Sequence, residues 1–479
     1  MTLKSHLSFI IPALFFTGLG VALQNTFGAY GYWELTFVSV CWLLVCLLGF
    51  FPSSLSISLS WSSAGLYRLL TLIVAYFLFL TAGNPMVTNQ VATNYSMLVN
   101  LLQASAVIAT ALCLDAFCAW NGFSSGFRKR ATIGYMLIAV LLFAAMIYTL
   151  RAVPQPFIDV FVANSLGADY LLQGLNPYTG KYPDIYHGFY DYVPGYVYWP
   201  GVLYFQTLAK TVFGDVRYAT IIAELITVFS LRKILKLLKW DPLFKNIVPI
   251  VWLSFPVSFF VLQQAWVDPL LICTAALFVL FLLQKKMDHA AIALGYFCGI
   301  KQYSVFLALL AGAYILLRPQ TEGQQGARLG DPKSWNWKEF LRLFVISALV
   351  FFALVLPFAL WDWEGFYFNT VHMPLSQKMR MDSLSLVAGF ARAGFTVSGL
   401  QSAMIYLLAV LSSLYWIATR SRINQLQTFT AGLIVTYGAT FLFGKQAFCN
   451  YYYLLSFFVL LNLFVRSAPT RSPSGRGAS

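Results

Sequence analysis

The sequence has 479 residues, of which 59% are hydrophobic and only 10% are charged, with a formal net charge of +14. Soluble domains carry about 25% charged residues, so this composition excludes a water-soluble fold and predicts a membrane protein. The positive charge does not indicate nucleic acid, because lysines and arginines concentrate in the cytoplasmic loops of membrane proteins. The seven cysteines show no metal-ligand or paired spacing, and we interpret them as small buried residues.

Apolar stretches long enough to span a bilayer recur along the whole chain. Five precede the first long polar segment, at 8–24, 35–51, 66–83, 97–120 and 131–150. Nine more follow it, at 215–236, 246–264, 268–284, 289–300, 302–318, 339–361, 399–419, 423–443 and 447–466. The predicted fold class is therefore all-α, a polytopic membrane helical bundle of about 13–14 transmembrane helices.

Basic residues follow alternate spans, in clusters at 128–130, 232–239, 285–286, 328–338 and 420–422. The positive-inside rule places such clusters in the cytoplasm, and they all fall on one side if both termini are cytoplasmic. Two polar segments, 151–214 and 362–398, then lie on the periplasmic or other extracytoplasmic face. The basic tail at 467–479 is rich in Ser, Pro and Gly, which predicts disorder.

The first of these polar segments carries two short apolar stretches. Pro154 and Pro156 end the preceding span, and apolar residues then recur at helical spacing over 157–174. A second stretch, 202–213, is too short to cross a bilayer. The pattern predicts two amphipathic helices that lie along the outer membrane interface.

The order of short motifs in this part of the chain resembles a known family. A span is followed by Asp159 in a D-x-x-V pattern, then by GLNPY at 174–178, WPGVLY at 199–204 and GYFCGIKQ at 295–302. This order resembles the C-type (GT-C) glycosyltransferases, and most closely the mannosyltransferases that use polyprenyl-phosphate mannose. The resemblance covers about 131–465 and leaves out the first four spans. The family's usual double proline is Trp199-Pro200 here, which puts the family's acceptor preference in doubt.

The resemblance implies a membrane glycosyltransferase of inverting mechanism. It would move a hexose, with mannose favoured, from a polyprenyl-phosphate donor to a hydroxyl of a lipid or glycan acceptor at the outer face. The expected partners are this donor, the acceptor and membrane lipids, and no nucleic acid. No cofactor is expected. A metal is not expected either, because Asp184 and Asp191 are seven residues apart and form no D-x-D pair.

The resemblance also implies roles for individual residues. Asp159 is the candidate catalytic base, although an aspartate in the first turn of a helix is also favoured by capping and the helix dipole. Lys301 is the candidate ligand of the departing phosphate, with a lysine snorkelling at a span end as its alternative. The other predicted substrate-binding residues are Gln302, Arg380, Lys378, His372, Tyr178, Tyr198, Gln264 and Asp268.

The chain divides into an N-terminal four-helix extension at 1–130, a GT-C-like core at 131–466 and the tail at 467–479. Two other functions stay open. A transporter or flippase of a lipid-linked sugar predicts charged residues near the bilayer midplane and repeated halves. An outer-face glycan ligase or polymerase predicts arginines and a histidine in a large loop between late spans.

Overall fold

The structure is a computed structural model that describes residues 2–5, 7–50, 59–88, 91–119, 122–190, 193–318 and 332–466. The predicted tail at 467–479 and most of the linker between the tenth and eleventh predicted spans lie outside these residues. Helices account for 77% of the fold. Where the sequence predicts no strand, one short antiparallel pair joins β1 (Thr2–Ser5) to β2 (Leu59–Ser62), with Thr2 opposite Ser62.

The described residues of the first half of the chain form eight helices. They are α1 (Leu7–Thr26), α2 (Tyr32–Phe50), α3 (Ser63–Gly83), α4 (Ala92–Cys118), α5 (Ser125–Ala152), α6 (Asp159–Leu172), α7 (Pro200–Phe213) and α8 (Tyr218–Leu237). The helices α6 and α7 confirm that the two short apolar stretches of the polar segment are helical. Pro200 begins α7 at a position where its missing N–H costs nothing, and Gly214 ends it with a left-handed φ of 81°.

In the second half, the part of the chain that the structure describes forms eleven helices together with two 3₁₀ turns (Gln302–Ser304 and Pro332–Ser334) and one π-helical turn (Phe368–His372). The helices are α9 (Pro242–Leu253), α10 (Ser258–Gln263), α11 (Asp268–Leu283), α12 (Met287–Cys298), α13 (Val305–Leu316), α14 (Trp337–Trp361), α15 (Trp363–Tyr367), α16 (Met373–Ser376), α17 (Leu386–Arg392), α18 (Gly399–Leu442) and α19 (Cys449–Arg466).

The stretch predicted as one span at 246–264 is not one continuous helix, because the structure divides it into α9 and α10. Pro256 lies at the break, where its missing N–H and its ring prevent a continuous helix. The Ser258 hydroxyl donates to the Phe255 carbonyl at 2.8 Å, and the Ser254 hydroxyl donates to the Val251 carbonyl at 3.2 Å. These bonds satisfy carbonyls that the break leaves inside a buried region.

The two predicted spans at 399–419 and 423–443 are both helical and lie within α18. The two parts of α18 pack against each other, because the Ser413 hydroxyl lies 3.2 Å from the Gly432 carbonyl and 2.9 Å from the Thr436 hydroxyl. Nineteen residues of straight helix would separate Ser413 from Gly432 by about 28 Å. The chain therefore reverses direction between Ser413 and Gly432, as two consecutive spans require.

Among the described residues, six helices are long and apolar enough to cross a membrane: Ser63–Gly83, Ala92–Cys118, Ser125–Ala152, Trp337–Trp361, Gly399–Thr419 and Cys449–Arg466. Six shorter apolar helices accompany them. Cys449–Arg466 is 89% buried and forms the centre of the bundle, whereas only 22% of Trp337–Trp361 is covered by protein. The fold is that of an integral membrane protein with several spans.

Successive long helices run in alternate directions, so the bundle has two chemically different ends. The basic end carries the clusters at 128–130, 232–239 and 285–286, and Arg128 pairs there with Asp241 at 2.8 Å. The opposite end, called here the loop end, carries the two long polar segments. The first helices belong to the same bundle, since the Phe16 ring of α1 lies 5.1 Å from the Phe255 ring between α9 and α10. At the loop end, the Gln24 amide of α1 donates to the Leu80 carbonyl of α3 at 3.0 Å and to the Asn84 carbonyl just after it at 2.9 Å.

Arg217 anchors the polar segment where it enters α8. Its side chain is fully buried and pairs with Asp215 at 2.6 Å. The guanidinium also donates to the Val153 carbonyl at 2.7 Å and to the Pro154 carbonyl at 3.4 Å, and it lies 4.9 Å from the Phe161 ring. One side chain thus ties the end of α5, the start of α8 and the face of α6 together.

We expect Arg217→Met to destabilise the protein by about 3 kcal/mol, because it leaves buried carbonyls and a partly buried carboxylate without their donor. Thermal unfolding of the purified protein measures the change. Arg130→Met is the matched control, since Arg130 pairs with Asp115 at 3.0 Å but is 61% exposed. Exposed pairs contribute little, so the control should unfold like the wild type. Equal stability of the two variants would contradict this role for Arg217.

Candidate functional site

A cavity of about 350 Å³ opens at the loop end, within the size range of small-molecule sites. It lies between the residues that follow α1, the start of α6, the tyrosine-rich loop, the end of α10, the junction before α13, the second polar segment and the start of α19. Its polar lining consists of Asp159, Asp184, Gln264, Lys301, Gln302, Gln377, Arg380, Asp382, Gln446 and Asn450. Six of the predicted site residues, Asp159, Gln264, Lys301, Gln302, Arg380 and Tyr198, therefore line one space.

Asp159 is the first residue of α6 and faces this cavity. Its carboxylate accepts from the Val160 amide at 2.8 Å, and its own amide donates to the Tyr186 hydroxyl at 3.4 Å. The carboxylate thus accepts from one exposed amide in the first turn of the helix, as the structural interpretation expects, while Asp159 also lines the cavity. The two interpretations are compatible in this geometry.

Lys301 lies in the junction between α12 and α13 and is only 6% exposed. Its ammonium group lies 3.2 Å from both carboxylate oxygens of Asp268, which is fully buried beneath the cavity floor. Three tyrosine rings surround the ammonium, with centroids 4.4 Å away for Tyr451, 4.9 Å for Tyr303 and 5.8 Å for Tyr198. Aromatic faces stabilise a cation in this arrangement, so the lysine is held at a defined place.

Asp268 organises this buried cluster. Besides Lys301, it accepts from the Asn450 side-chain amide at 2.7 Å and from the Tyr303 hydroxyl. A buried carboxylate requires such donors, because removing a carboxylate from water without new hydrogen bonds costs on the order of several kcal/mol. Asp268 does not line the cavity and lies one layer below Lys301, so its predicted contact with substrate stays a prediction.

Burial lowers the pKa of Lys301, and the Asp268 carboxylate only partly offsets this effect. Burial likewise raises the pKa of Tyr186 and of Tyr198, with the negative charge of Asp159 acting in the same direction on both. The two tyrosines therefore remain neutral hydroxyls at physiological pH.

We expect binding of a phosphate-bearing ligand to weaken as the pH rises, starting below the ordinary lysine value of about 10.4. The protonated ammonium binds the anion, and a lowered pKa means that this proton is lost at a lower pH. Ligand affinity measured from pH 7 to about 10 checks the expectation. Lys301→Arg should flatten the profile, because arginine stays charged throughout. An identical profile in the two proteins would contradict it.

Arg380 supplies the second cation of the cavity. Its guanidinium forms two hydrogen bonds with Asp382, at 2.8 and 2.6 Å, and a third with the Tyr190 hydroxyl at 2.9 Å. It also stacks between two rings, with its central carbon 3.7 Å from the Tyr190 centroid and 5.0 Å from that of Phe448. The planar group is thus fixed on several sides, which suits recognition of a phosphate or carboxylate.

Gln302 joins the two polar segments. Its side-chain amide donates to the Val197 carbonyl at 2.7 Å and to the Thr370 carbonyl at 2.9 Å. The side-chain N–H groups are therefore hydrogen-bonded within the protein, and Gln302 forms part of the cavity wall. Gln264, at the end of α10, is 6% exposed and also lines the cavity.

Three predicted site residues lie elsewhere. Tyr178 is 2% exposed and donates to the Tyr198 carbonyl at 2.8 Å, so the structure places it in the core. Its predicted contact with substrate stays a prediction. His372 lines a separate, adjoining cavity of about 420 Å³, where its ring stacks on Phe368 at 5.4 Å. Lys378 lines neither of these two cavities.

The site predicted from the sequence also leaves out several residues that line the cavity. Asp382 follows Arg380 at a spacing that allows a local ion pair, so the R-x-D pattern is a sequence signal for this residue. Asp184, named only for its distance from Asp191, lines both cavities. Phe27 belongs to the N-terminal extension and lines the cavity. No pattern in the neighbouring sequence predicts this position, because only the packing of α1 brings Phe27 to the cavity. Among the described residues, no cluster of three or more His, Cys, Asp or Glu side chains could hold a metal ion.

The fold and this cavity define a class: helical integral membrane proteins with a polar cavity, lined by carboxylates and two cations, at one end of the bundle. Comparison with protein-family models and with curated proteins found no match for the chain. The chemical groups of the cavity are therefore the basis for any assignment of function.

Proposed function

We propose that the protein is a GT-C-type glycosyltransferase that moves a hexose, with mannose favoured, from a polyprenyl-phosphate donor to an acceptor hydroxyl. The loop end would face the periplasm or an equivalent compartment. This orientation is supported by the basic clusters at the opposite end, since lysine and arginine mark the cytoplasmic side. The helices α6 and α7 would then lie at the outer interface, where a lipid-linked donor presents its headgroup.

One observation carries the proposal: a single cavity contains Asp159 together with two immobilised cations, Lys301 and Arg380. Transfer from a sugar phosphate requires a base near the acceptor and positive charge near the leaving phosphate. The motifs whose order resembles the GT-C family contain the first two of these residues. Their convergence from α6, the α12–α13 junction and the second polar segment is what the proposal expects.

In the proposed reaction, the acceptor oxygen attacks the anomeric carbon of the donor sugar. The bond from this carbon to the phosphate oxygen breaks, and its electron pair stays on the phosphate. Asp159 takes the proton of the acceptor hydroxyl, so that the oxygen is not left positively charged. Lys301 and Arg380 bind the phosphate as its charge increases. A single displacement of this kind inverts the anomeric configuration.

The adjoining cavity suits the acceptor. It shares Asp184, Met373 and Gln377 with the main cavity, so the two spaces meet. Its described lining contains no lysine or arginine, and includes Ser376 and His372. Hydroxyl-rich, uncharged ligands are recognised by such neutral donors and acceptors, together with a carboxylate and an aromatic face.

A transporter of a lipid-linked sugar remains the second candidate, and Glu224 is the observation that favours it. This carboxyl group lies in α8 at 3% exposure, and ionisable residues inside membrane helices are often functional. However, Trp252 Nε1 and the Tyr453 hydroxyl each donate to one of its oxygens at 2.7 Å. A fully satisfied carboxyl favours a structural role, so the enzyme proposal is preferred.

Proteoliposomes containing the purified protein separate the two candidates. Polyprenyl-phosphate [¹⁴C]mannose is added outside, and radioactivity is followed in a new glycan or lipid product and in the protected inner leaflet. The proposal predicts chemical transfer, with release of polyprenyl phosphate and no dependence on a sealed membrane. Movement of intact donor to the inner leaflet without cleavage would favour the transporter.

A further inference from the structure

Residues 27–30, called here the strap, lie in the segment that joins α1 to α2 and belong to the N-terminal extension that the motif resemblance does not cover. Phe27 and Gly28 have left-handed φ angles of 57° and 71°, so the chain turns sharply where α1 ends. Phe27 and Ala29 both line the main cavity. The Phe27 ring also meets the Phe260 ring edge-on, with centroids 5.3 Å apart. The first helices therefore contribute directly to the cavity wall.

The strap also pairs with the second polar segment. Ala29 forms an antiparallel bridge with Ser383, and the Tyr30 amide donates to the Asp382 carbonyl at 2.8 Å. The guanidinium of Arg392 lies 4.4 Å from the centroid of the Tyr30 ring. The strap thus holds one edge of residues 380–384 by backbone and side-chain contacts.

The other edge of residues 380–384 is held by the chain that precedes α19. The Arg380 amide donates to the Lys445 carbonyl at 3.2 Å, and the Leu384 amide donates to the Ala447 carbonyl at 2.9 Å. The backbone of Asp382 therefore lies between two fixed segments. Because the Asp382 carboxylate holds the Arg380 guanidinium at 2.8 and 2.6 Å, the position of the peptide determines the position of the cation.

We infer that the strap is a positioning element for Arg380, and that the anion-binding cavity is incomplete without the first two helices. The inference rests on the proposed function, in which Arg380 binds the donor phosphate. A cation that is already fixed loses less conformational freedom when it binds an anion, so affinity depends on the contacts that fix it. This gives the N-terminal extension a role in recognition of the phosphate-bearing substrate.

Gly28 offers a sharp test. A Cβ at this position would lie 2.3 Å from the Cys449 backbone nitrogen, so Gly28→Ala must displace the strap from α19. Gly174 is a matched control, because it has the same φ of 71° and no atom within 4 Å of an added Cβ. Gly174→Ala therefore imposes the same backbone preference without moving the strap. Tyr30→Pro, which removes the amide that donates to Asp382, is a second variant in case Gly28→Ala fails to fold.

Two measurements are made on the full-length protein in nanodiscs. Hydrogen exchange without ligand should be about tenfold faster over residues 380–384 in Gly28→Ala than in the wild type or Gly174→Ala. Affinity for undecaprenyl phosphate should fall about tenfold in Gly28→Ala, whereas affinity for the uncharged undecaprenol should not change. Gly28→Ala in an Arg380→Gln background should cause little further loss, because the two changes act on one contact.

Unchanged exchange over 380–384 in both strap variants would overturn the inference, as would equal losses for undecaprenyl phosphate and undecaprenol. Full additivity of Gly28→Ala and Arg380→Gln would also overturn it. Failure of the proposed function is a different result: the wild type would then bind undecaprenyl phosphate no better than undecaprenol, whatever the exchange rates of the strap variants.

Discussion

Asp159→Asn should abolish sugar transfer, with a loss of turnover of about 10²–10⁴-fold, the range in which a positioned base contributes. The amide keeps the size and the helix-end hydrogen bonding of the carboxylate, but it cannot take the acceptor's proton. Donor binding should change much less than turnover, because in the proposed mechanism the phosphate is held by Lys301 and Arg380, which line the same cavity. Turnover and the KM for polyprenyl-phosphate mannose are measured on purified protein.

Asp169→Asn is the control for this experiment. Asp169 lies on the same helix, α6, and pairs with Lys210 at 2.7 Å, but it does not line the cavity. Its loss should leave turnover close to that of the wild type. A similar loss in both variants would indicate damage to α6. Full activity of a folded Asp159→Asn protein would remove Asp159 from the mechanism.

Lys301→Met should abolish transfer and also destabilise the protein, by about 3–5 kcal/mol. The substitution leaves the carboxylate of Asp268 fully buried without its cation, and the Asn450 and Tyr303 donors do not replace that charge. Loss of activity and loss of stability therefore have different origins. Thermal unfolding and transfer assays on the same preparations measure them separately.

The double variant Lys301→Met/Asp268→Asn separates the two effects. Removing the unpaired charge should recover much of the stability, since replacing both members of a buried pair is often nearly neutral. Transfer should remain absent, because the phosphate ligand is still missing. Recovery of transfer together with stability would mean that Lys301 acts only as the partner of Asp268.

Much of the fold follows from hydropathy and charge. Apolar stretches at bilayer length predict the long helices, and the basic clusters at 128–130 and 232–239 do fall at one end of the bundle. The helix break at Pro256 is a feature that hydropathy and charge do not predict. A window of hydropathy does not detect a helix break whose carbonyls are satisfied by Ser254 and Ser258.

The candidate site could be predicted only in part. Asp159 and Lys301 follow recognisable local motifs, and helix directions place both at one end. The contribution of Phe27 depends on tertiary packing between α1 and α19, which leaves no pattern in the local sequence. The burial of Tyr178 leaves no local pattern for a related reason: an aromatic residue in a polar loop can turn into the core, where its hydroxyl donates to the Tyr198 carbonyl.

The most direct test asks whether the protein breaks the bond between the donor sugar and its phosphate. Purified protein in detergent is incubated with polyprenyl-phosphate [¹⁴C]mannose and a membrane lipid extract as acceptor source, and radioactive products are separated from the donor. The wild type should convert donor into a new labelled product and polyprenyl phosphate, while folded Asp159→Asn protein should not. If the donor stays intact when folded wild-type protein is incubated with the membrane lipid extract, this result would contradict the proposed glycosyl transfer.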